Sequence, residues 1–143
     1  MRSGRWCAGF DVVMNMMKAV ETIPNWFKQI NYPKDPNDIT VLEKEHWPRI
    51  ECPDIVEASK PFEVRINIGA VMDHPRELAH FIEWITLGRD DSNMVMCEEV
   101  MQPKFTMPRT SFWISLDRST TLVVRMSRNL HGIWENKKQV YIR

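Results

Sequence analysis

The chain has 143 residues, 43% hydrophobic and 27% charged, with 19 Lys and Arg balanced by 19 Asp and Glu. That composition fits one globular domain with a real core, and a pI near 6.9 leaves no global field to draw it to nucleic acid or an anionic membrane. Cys7, Cys52 and Cys97 are widely spaced and no Cys-x-x-Cys occurs, which excludes a zinc ribbon and a rubredoxin-type iron–tetrathiolate centre, both built on clustered thiolates. The cysteines read as reduced thiols. No run has signal-peptide or membrane-spanning quality, so the expected location is the cytoplasm, with no membrane span.

In chain order, residues 10–21 place Phe10, Val13, Met14, Met17 and Val20 at steps of three and four, the apolar face of a short helix, with Pro24 beyond its end. Residues 31–38, Asn-Tyr-Pro-Lys-Asp-Pro-Asn-Asp, are turn-forming and read as a connector. Residues 1–40 are therefore expected to form an arm with a short helix and linker, and residues 41–143 the main domain. From there the period becomes two. Phe62, Val64, Ile66 and Ile68 alternate with polar residues up to Gly69, a half-buried strand. Further strands are predicted over residues 81–87, 94–100, 111–116, 121–126 and 139–142. Short strands separated by turn residues indicate an all-β, antiparallel sandwich.

Only four histidines occur, at positions 46, 74, 80 and 131. His74 precedes Pro75, His80 lies directly before a predicted strand, and Gly132 follows His131. Imidazole is a borderline donor that suits iron, zinc, copper and nickel, and loop or strand-end positions let distant ligands converge. Taken singly, each is as well explained by a hydrogen-bonded or surface histidine.

Three segments together carry more. Glu43-Lys44-Glu45-His46-Trp47-Pro48, the run from His74-Pro75 through His80-Phe81-Ile82-Glu83-Trp84-Ile85, and Asn129-Leu130-His131-Gly132-Ile133-Trp134-Glu135 occur in this order. They resemble, respectively, the Glu-Lys-His-x-Pro, His-Pro-Asn-x-x-Glu-His-His-Ile-x-Trp-Ile and Cys-Asn-x-His-Gly-x-Trp-Glu patterns of the superoxide reductases (desulfoferrodoxins, neelaredoxins). The resemblance covers about two thirds of the chain and uses every histidine. It implies an immunoglobulin-like, seven-stranded antiparallel β-sandwich over residues 41–143. It also implies one iron (Fe2+/Fe3+) per chain in a plane of His46, His74, His80 and His131, and one-electron reduction of superoxide to hydrogen peroxide. The lack of a Cys-x-x-Cys arrangement implies the one-iron type.

The family's axial cysteine, three residues before its last ligand histidine, corresponds here to Arg128. A guanidinium stays protonated and has no lone pair to donate, so it cannot ligate a metal. Cys52 and Cys97 read as buried, inert thiols. Beside His46 the family's Glu-Lys element is disturbed: Lys44 and then Glu45 precede the histidine, either as a swapped pair or through one residue inserted after Glu43-Lys44, so a carboxylate stands where the family has a lysine thought to attract superoxide. Phe81 replaces a histidine of the middle motif that is not a ligand in the family.

Two functions follow from the resemblance: a superoxide reductase with altered or reduced activity, and a non-catalytic iron-binding or electron-transfer subunit using the same fold. The implied partners are superoxide or another small oxidant and an electron donor such as a rubredoxin-like protein; a homo-oligomer is compatible with both. Trp6, Phe10, Met14, Met17, Trp26 and Phe27 give residues 1–40 enough apolar surface to dock a partner protein.

Overall fold

The computed structural model describes residues 29–69, 81–92, 94–102 and 105–143. The helix expected over residues 10–21, His74 and His80 lie outside them. Among the described residues there are eight strands: β1 (Arg49–Glu51), β2 (Ile55–Val56), β3 (Phe62–Asn67), β4 (Ile82–Arg89), β5 (Val95–Val100), β6 (Arg109–Ile114), β7 (Thr120–Arg128) and β8 (Gly132–Ile142). One helix, α1 (Val41–His46), precedes them. No described helix is long and apolar enough to cross a membrane.

The strands form a three-stranded sheet, β1-β3-β6, and a five-stranded sheet, β2-β8-β7-β4-β5. Period-two burial drives both. In β3, Phe62, Val64 and Ile66 point inward, and in β7 Thr120, Leu122, Val124 and Met126 do the same. All of these but Thr120 join Ile85, Leu87, Trp134 and Val140 in a single core fed by both sheets. The mostly β architecture is as expected, with two differences in detail. There are eight described strands rather than seven, and β2 pairs with β8 in parallel, whereas the other ladders are antiparallel.

The alternation breaks at one end of the five-stranded sheet. Met126, Ser127 and Arg128 are buried in succession at the end of β7, as are Trp134 and Glu135 near the start of β8. Both faces of the hairpin are covered there. Seven polar or charged residues are buried among those described, and all but Thr120 belong to this hairpin end or to the segment from Asn31 to His46. Buried polar groups are costly unless partnered, so their gathering marks this end for chemistry.

Candidate metal centre

The β7–β8 hairpin delivers His131. Arg128 pairs with Gly132 across the turn, leaving Asn129, Leu130 and His131 as its loop. Gly132 has φ 71°, the left-handed conformation that a three-residue hairpin needs at this place and that glycine adopts without strain. Asn129 ties in a third strand: its Oδ1 accepts from the Phe81 N–H at 2.8 Å, and its own N–H donates to the Phe81 carbonyl at 3.2 Å. Phe81 is the residue after His80 in the sequence.

His46 arrives from the opposite direction, on α1. Thr40 caps the helix, with the Glu43 N–H donating to Thr40 Oγ1 at 3.2 Å and the Thr40 N–H donating to Glu43 Oε2 at 2.9 Å. This reciprocal capping box satisfies two orphan donors. The Lys34 N–H adds a third bond to Glu43, at 2.9 Å. These backbone N–H groups, Lys34 first, hold the Glu43 carboxyl below its ordinary range despite its burial. Glu43 thus has a structural use.

Six hydrogen bonds fasten this segment to β8. Asn31 lies parallel to it, donating from N and Nδ2 to the Ile133 carbonyl at 2.9 and 2.8 Å and accepting from the Glu135 N–H at 3.2 Å. The Tyr32 hydroxyl donates to Glu135 Oε1 at 2.7 Å. Desolvation, and then this carboxylate, push the phenol's pKa up. Trp47 Nε1 donates to the Glu135 carbonyl at 2.9 Å, and Asn136 Nδ2 to the Pro48 carbonyl at 2.8 Å.

The result is a histidine pair. The His46 and His131 ring centroids stand 4.4 Å apart at 76°, edge to face, with Trp134 tilted 5.3 Å from His46. Trp134 Nε1 donates to the His131 carbonyl at 3.0 Å, which locks the ring beside both histidines. His46 is fully buried, and its Nδ1 lies 2.6 Å from the Leu42 carbonyl. A carbonyl only accepts, so Nδ1 carries the proton and the lone pair of the neutral ring is on Nε2. That is the arrangement of a metal-ligating histidine, whose far N–H is anchored to a carbonyl or carboxylate. With metal–nitrogen bonds of about 2 Å, two imidazoles sharing one ion have centroids roughly 4–5 Å apart, so this pair fits. Among the described residues no three His, Cys, Asp or Glu side chains gather.

The neighbours of the pair sort differently. Arg128 is only 2% exposed; burial lowers its pKa, opposed by the charge of Glu45. Lys44 is exposed and lines a groove with Trp47, Pro48, Arg49 and Asn136. Two residues along a helix turn a side chain about 200°, so α1 separates Lys44 from His46 while leaving Glu45 in reach of Arg128. Cys52 and Cys97 pack against the core, and burial raises both thiols. Cys97 pairs with Leu87, well along β4 from the Ile82–Arg128 pair. Motif reading included Glu135 as the last residue of the third segment but gave it no role; it is the buried carboxylate holding Tyr32 and Arg125.

The chain is thus a two-sheet β-protein that packs a buried His46, its Nδ1 committed to a carbonyl, against the partly buried His131 at one end. The desulfoferrodoxin family model matches residues 38–137. A Methanocaldococcus jannaschii protein provisionally named superoxide reductase is 35% identical over 107 residues, covering 72% of this chain and 88% of that protein. The neelaredoxin of Megalodesulfovibrio gigas is 27% identical over 116 residues, covering 70% and 89%. The solved superoxide reductase (neelaredoxin) of Ignicoccus hospitalis superposes with a TM-score of 0.61 at 32% identity, covering 68% of this chain and 81% of that one. The chain belongs to the desulfoferrodoxin family.

Proposed function

We propose that the chain is a non-haem mononuclear iron protein of the superoxide reductase type, with altered or reduced activity. In this reading residues 41–143 form an immunoglobulin-like domain holding one iron through His46, His74, His80 and His131, residues 1–40 are an arm, and the protein works in the cytoplasm. The observation that carries it is the His46–His131 pair, with Nδ1 of His46 committed to Leu42 and Nε2 left as the donor nitrogen. Iron held there would supply the single electron that, together with two protons from solvent, turns superoxide into hydrogen peroxide.

The chain's own residues set the conditions. The Leu42 carbonyl orients the His46 imidazole, and Trp134 packs on that ring while bonding the His131 backbone carbonyl. Burial of His46 keeps water from that side. Arg128, at the place of the family's axial cysteine, gives the site positive charge where a thiolate would give electron density. Positive charge there disfavours the oxidised state and hence electron donation. Glu45 offsets part of that charge, and Lys44, facing the groove, is left to attract anions from solution at longer range.

A second reading, a non-catalytic iron-binding or electron-transfer subunit, is favoured by the burial of Arg128 alone. Metal analysis, optical spectroscopy and superoxide consumption separate the two. Purified protein is expected to hold about one iron through nitrogen donors, without thiolate-to-iron absorption in its oxidised form. Wild-type consumption of superoxide supports the reductase; activity only in Arg128→Cys supports the second reading. Protein that takes up no metal overturns both.

A further inference from the structure

We infer that Tyr32 and Glu135 form a proton-coupled redox pair that draws an oxidising equivalent off Trp134, the tryptophan packed on His46, and brings it out to the protein surface. Trp134 is 3% exposed, with its ring 5.3 Å from that of His46. The next residue is Glu135, whose buried carboxylate accepts the Tyr32 hydroxyl at 2.7 Å. Asn31 bridges to Trp134 in parallel, so Tyr32 is fixed one residue along the same pairing. The path from indole to phenol is therefore covalent except for one hydrogen bond. It ends at solvent, since Tyr32 is 51% exposed. The chain's other tyrosine, Tyr141, is exposed to a similar degree, but its hydroxyl has no acceptor among the described residues.

The hydrogen bonds of the two rings set the direction. Trp134 Nε1–H bonds the His131 carbonyl, which is no base, so an oxidised indole keeps its proton and is refilled by an electron alone. A phenol gives up its proton on oxidation, and Tyr32 has a carboxylate placed to take it through a short, charge-assisted bond. Arg125 bonds Glu135 Oε2 at 2.6 Å and leaves Oε1 to Tyr32. The step balances. A one-electron oxidant takes one electron from the Trp134 indole, and one electron from Tyr32 refills the indole radical cation. The phenolic proton passes to Glu135 Oε1, and a neutral phenoxyl radical remains at Tyr32. One electron from an external reductant such as a thiolate, with the proton returning from Glu135, restores the phenol. As a way out of the metal centre the pair rests on the iron reading: hydrogen peroxide, the product of that reaction, is the oxidant when it meets reduced iron, and the relay spares the histidines. The pair itself needs no metal.

Metal-free full-length protein tests it, with the azidyl radical from pulse radiolysis as the one-electron oxidant of indoles. In wild type the indole-radical absorption should give way to phenoxyl absorption, in a phase that is independent of protein concentration and slower in heavy water. Tyr32→Phe should remove most of that phase, and Tyr141→Phe should leave it. Trp134→Phe, which keeps an aromatic ring in the core, should remove most of it too. Glu135→Gln keeps a hydrogen-bond acceptor but no base, and should slow the phase about 100-fold, the lower end of what a positioned base contributes. A carboxylate with only a structural role would leave that rate unchanged. The inference is overturned by a phase that survives Tyr32→Phe or Trp134→Phe, keeps its rate in Glu135→Gln, or is no slower in heavy water. If the Glu135 or Trp134 variant does not fold, the exposed Tyr32→Phe change and the heavy-water effect decide. No iron is present, so this result is separate from metal analysis, on which the iron reading depends.

Discussion

His131 and His46 reach the same spot on segments of opposite character. His131 rides on the β7–β8 hairpin, whose ladder runs without interruption from Thr120–Val140 to Arg128–Gly132 and whose inward residues feed the core. His46 rides on a six-residue helix, far below the length at which a helix holds in water by itself. That helix buries Glu43 and His46, both polar, so it earns little from hydrophobic burial. A cap and a few polar contacts to β8 hold it. One histidine is therefore placed by a cooperative ladder and the other by discrete bonds, three of which meet at Glu135.

The sharpest way to break this contrast is Glu135→Ala. The carboxylate is 1% exposed and accepts from Tyr32 at 2.7 Å and Arg125 at 2.6 Å. Removing one member of a fully buried ion pair costs about 3–5 kcal/mol. Arg125 is 48% exposed and can rehydrate, so the expected loss is about 2 kcal/mol, read as a lower urea midpoint at unchanged slope. Hydrogen exchange should quicken at Asn31 and across α1 while the β7–β8 amides stay protected. If protection falls equally in both, the two segments form one cooperative unit and the contrast fails.

A smaller, cleaner probe is Trp47→Phe. It keeps an aromatic ring and deletes the Nε1–H bond to the Glu135 carbonyl, 2.9 Å long. The expected cost is about 1 kcal/mol, with faster exchange confined to residues 41–48. A cost several times larger would mean that the indole anchors the segment by packing instead of by its hydrogen bond.

The same contrast explains what could be read in advance. β3 announces itself by alternation, and β4 to β7 as short strand-forming stretches between turn residues, with ends within a few residues of those expected. β8 was legible only over residues 139–142, because Trp134 and Glu135 are buried consecutively and Asn136, Lys137 and Lys138 look like a turn. β1 and β2, three and two residues long, are too short to show a period. α1 has no apolar stripe, and its one local sign was the Thr40…Glu43 capping box. The connector over residues 31–38 does turn at Asp35, where the Asn37 N–H bonds Asp35 Oδ1 at 2.9 Å, yet its first residue is buried on β8. For the site, motif order brought out His46 and His131, and the identity of residue 128 stood in plain view. Its burial did not, since that depends on both faces of the hairpin end being covered.

The mildest test concerns the cap itself and turns on the sign of a titration. Glu43 has its pKa lowered from 4.5 by the N–H groups of Lys34 and Thr40, so the folded state favours its charged form. A carboxyl lowered in this way adds stability above the unfolded-state pKa, and that contribution is lost as pH falls through the folded-state value. Thr40→Ala should cost about 1 kcal/mol at pH 7, the usual worth of an N-cap. Glu43→Gln should be less stable than wild type at pH 7, and the gap should close as the pH is lowered from about 5, because wild type then loses the same charge. Urea midpoints across that range read the gap directly. A pH-independent gap would show that the shape of the carboxylate fork, and not its charge, holds α1, leaving His46 placed by geometry alone.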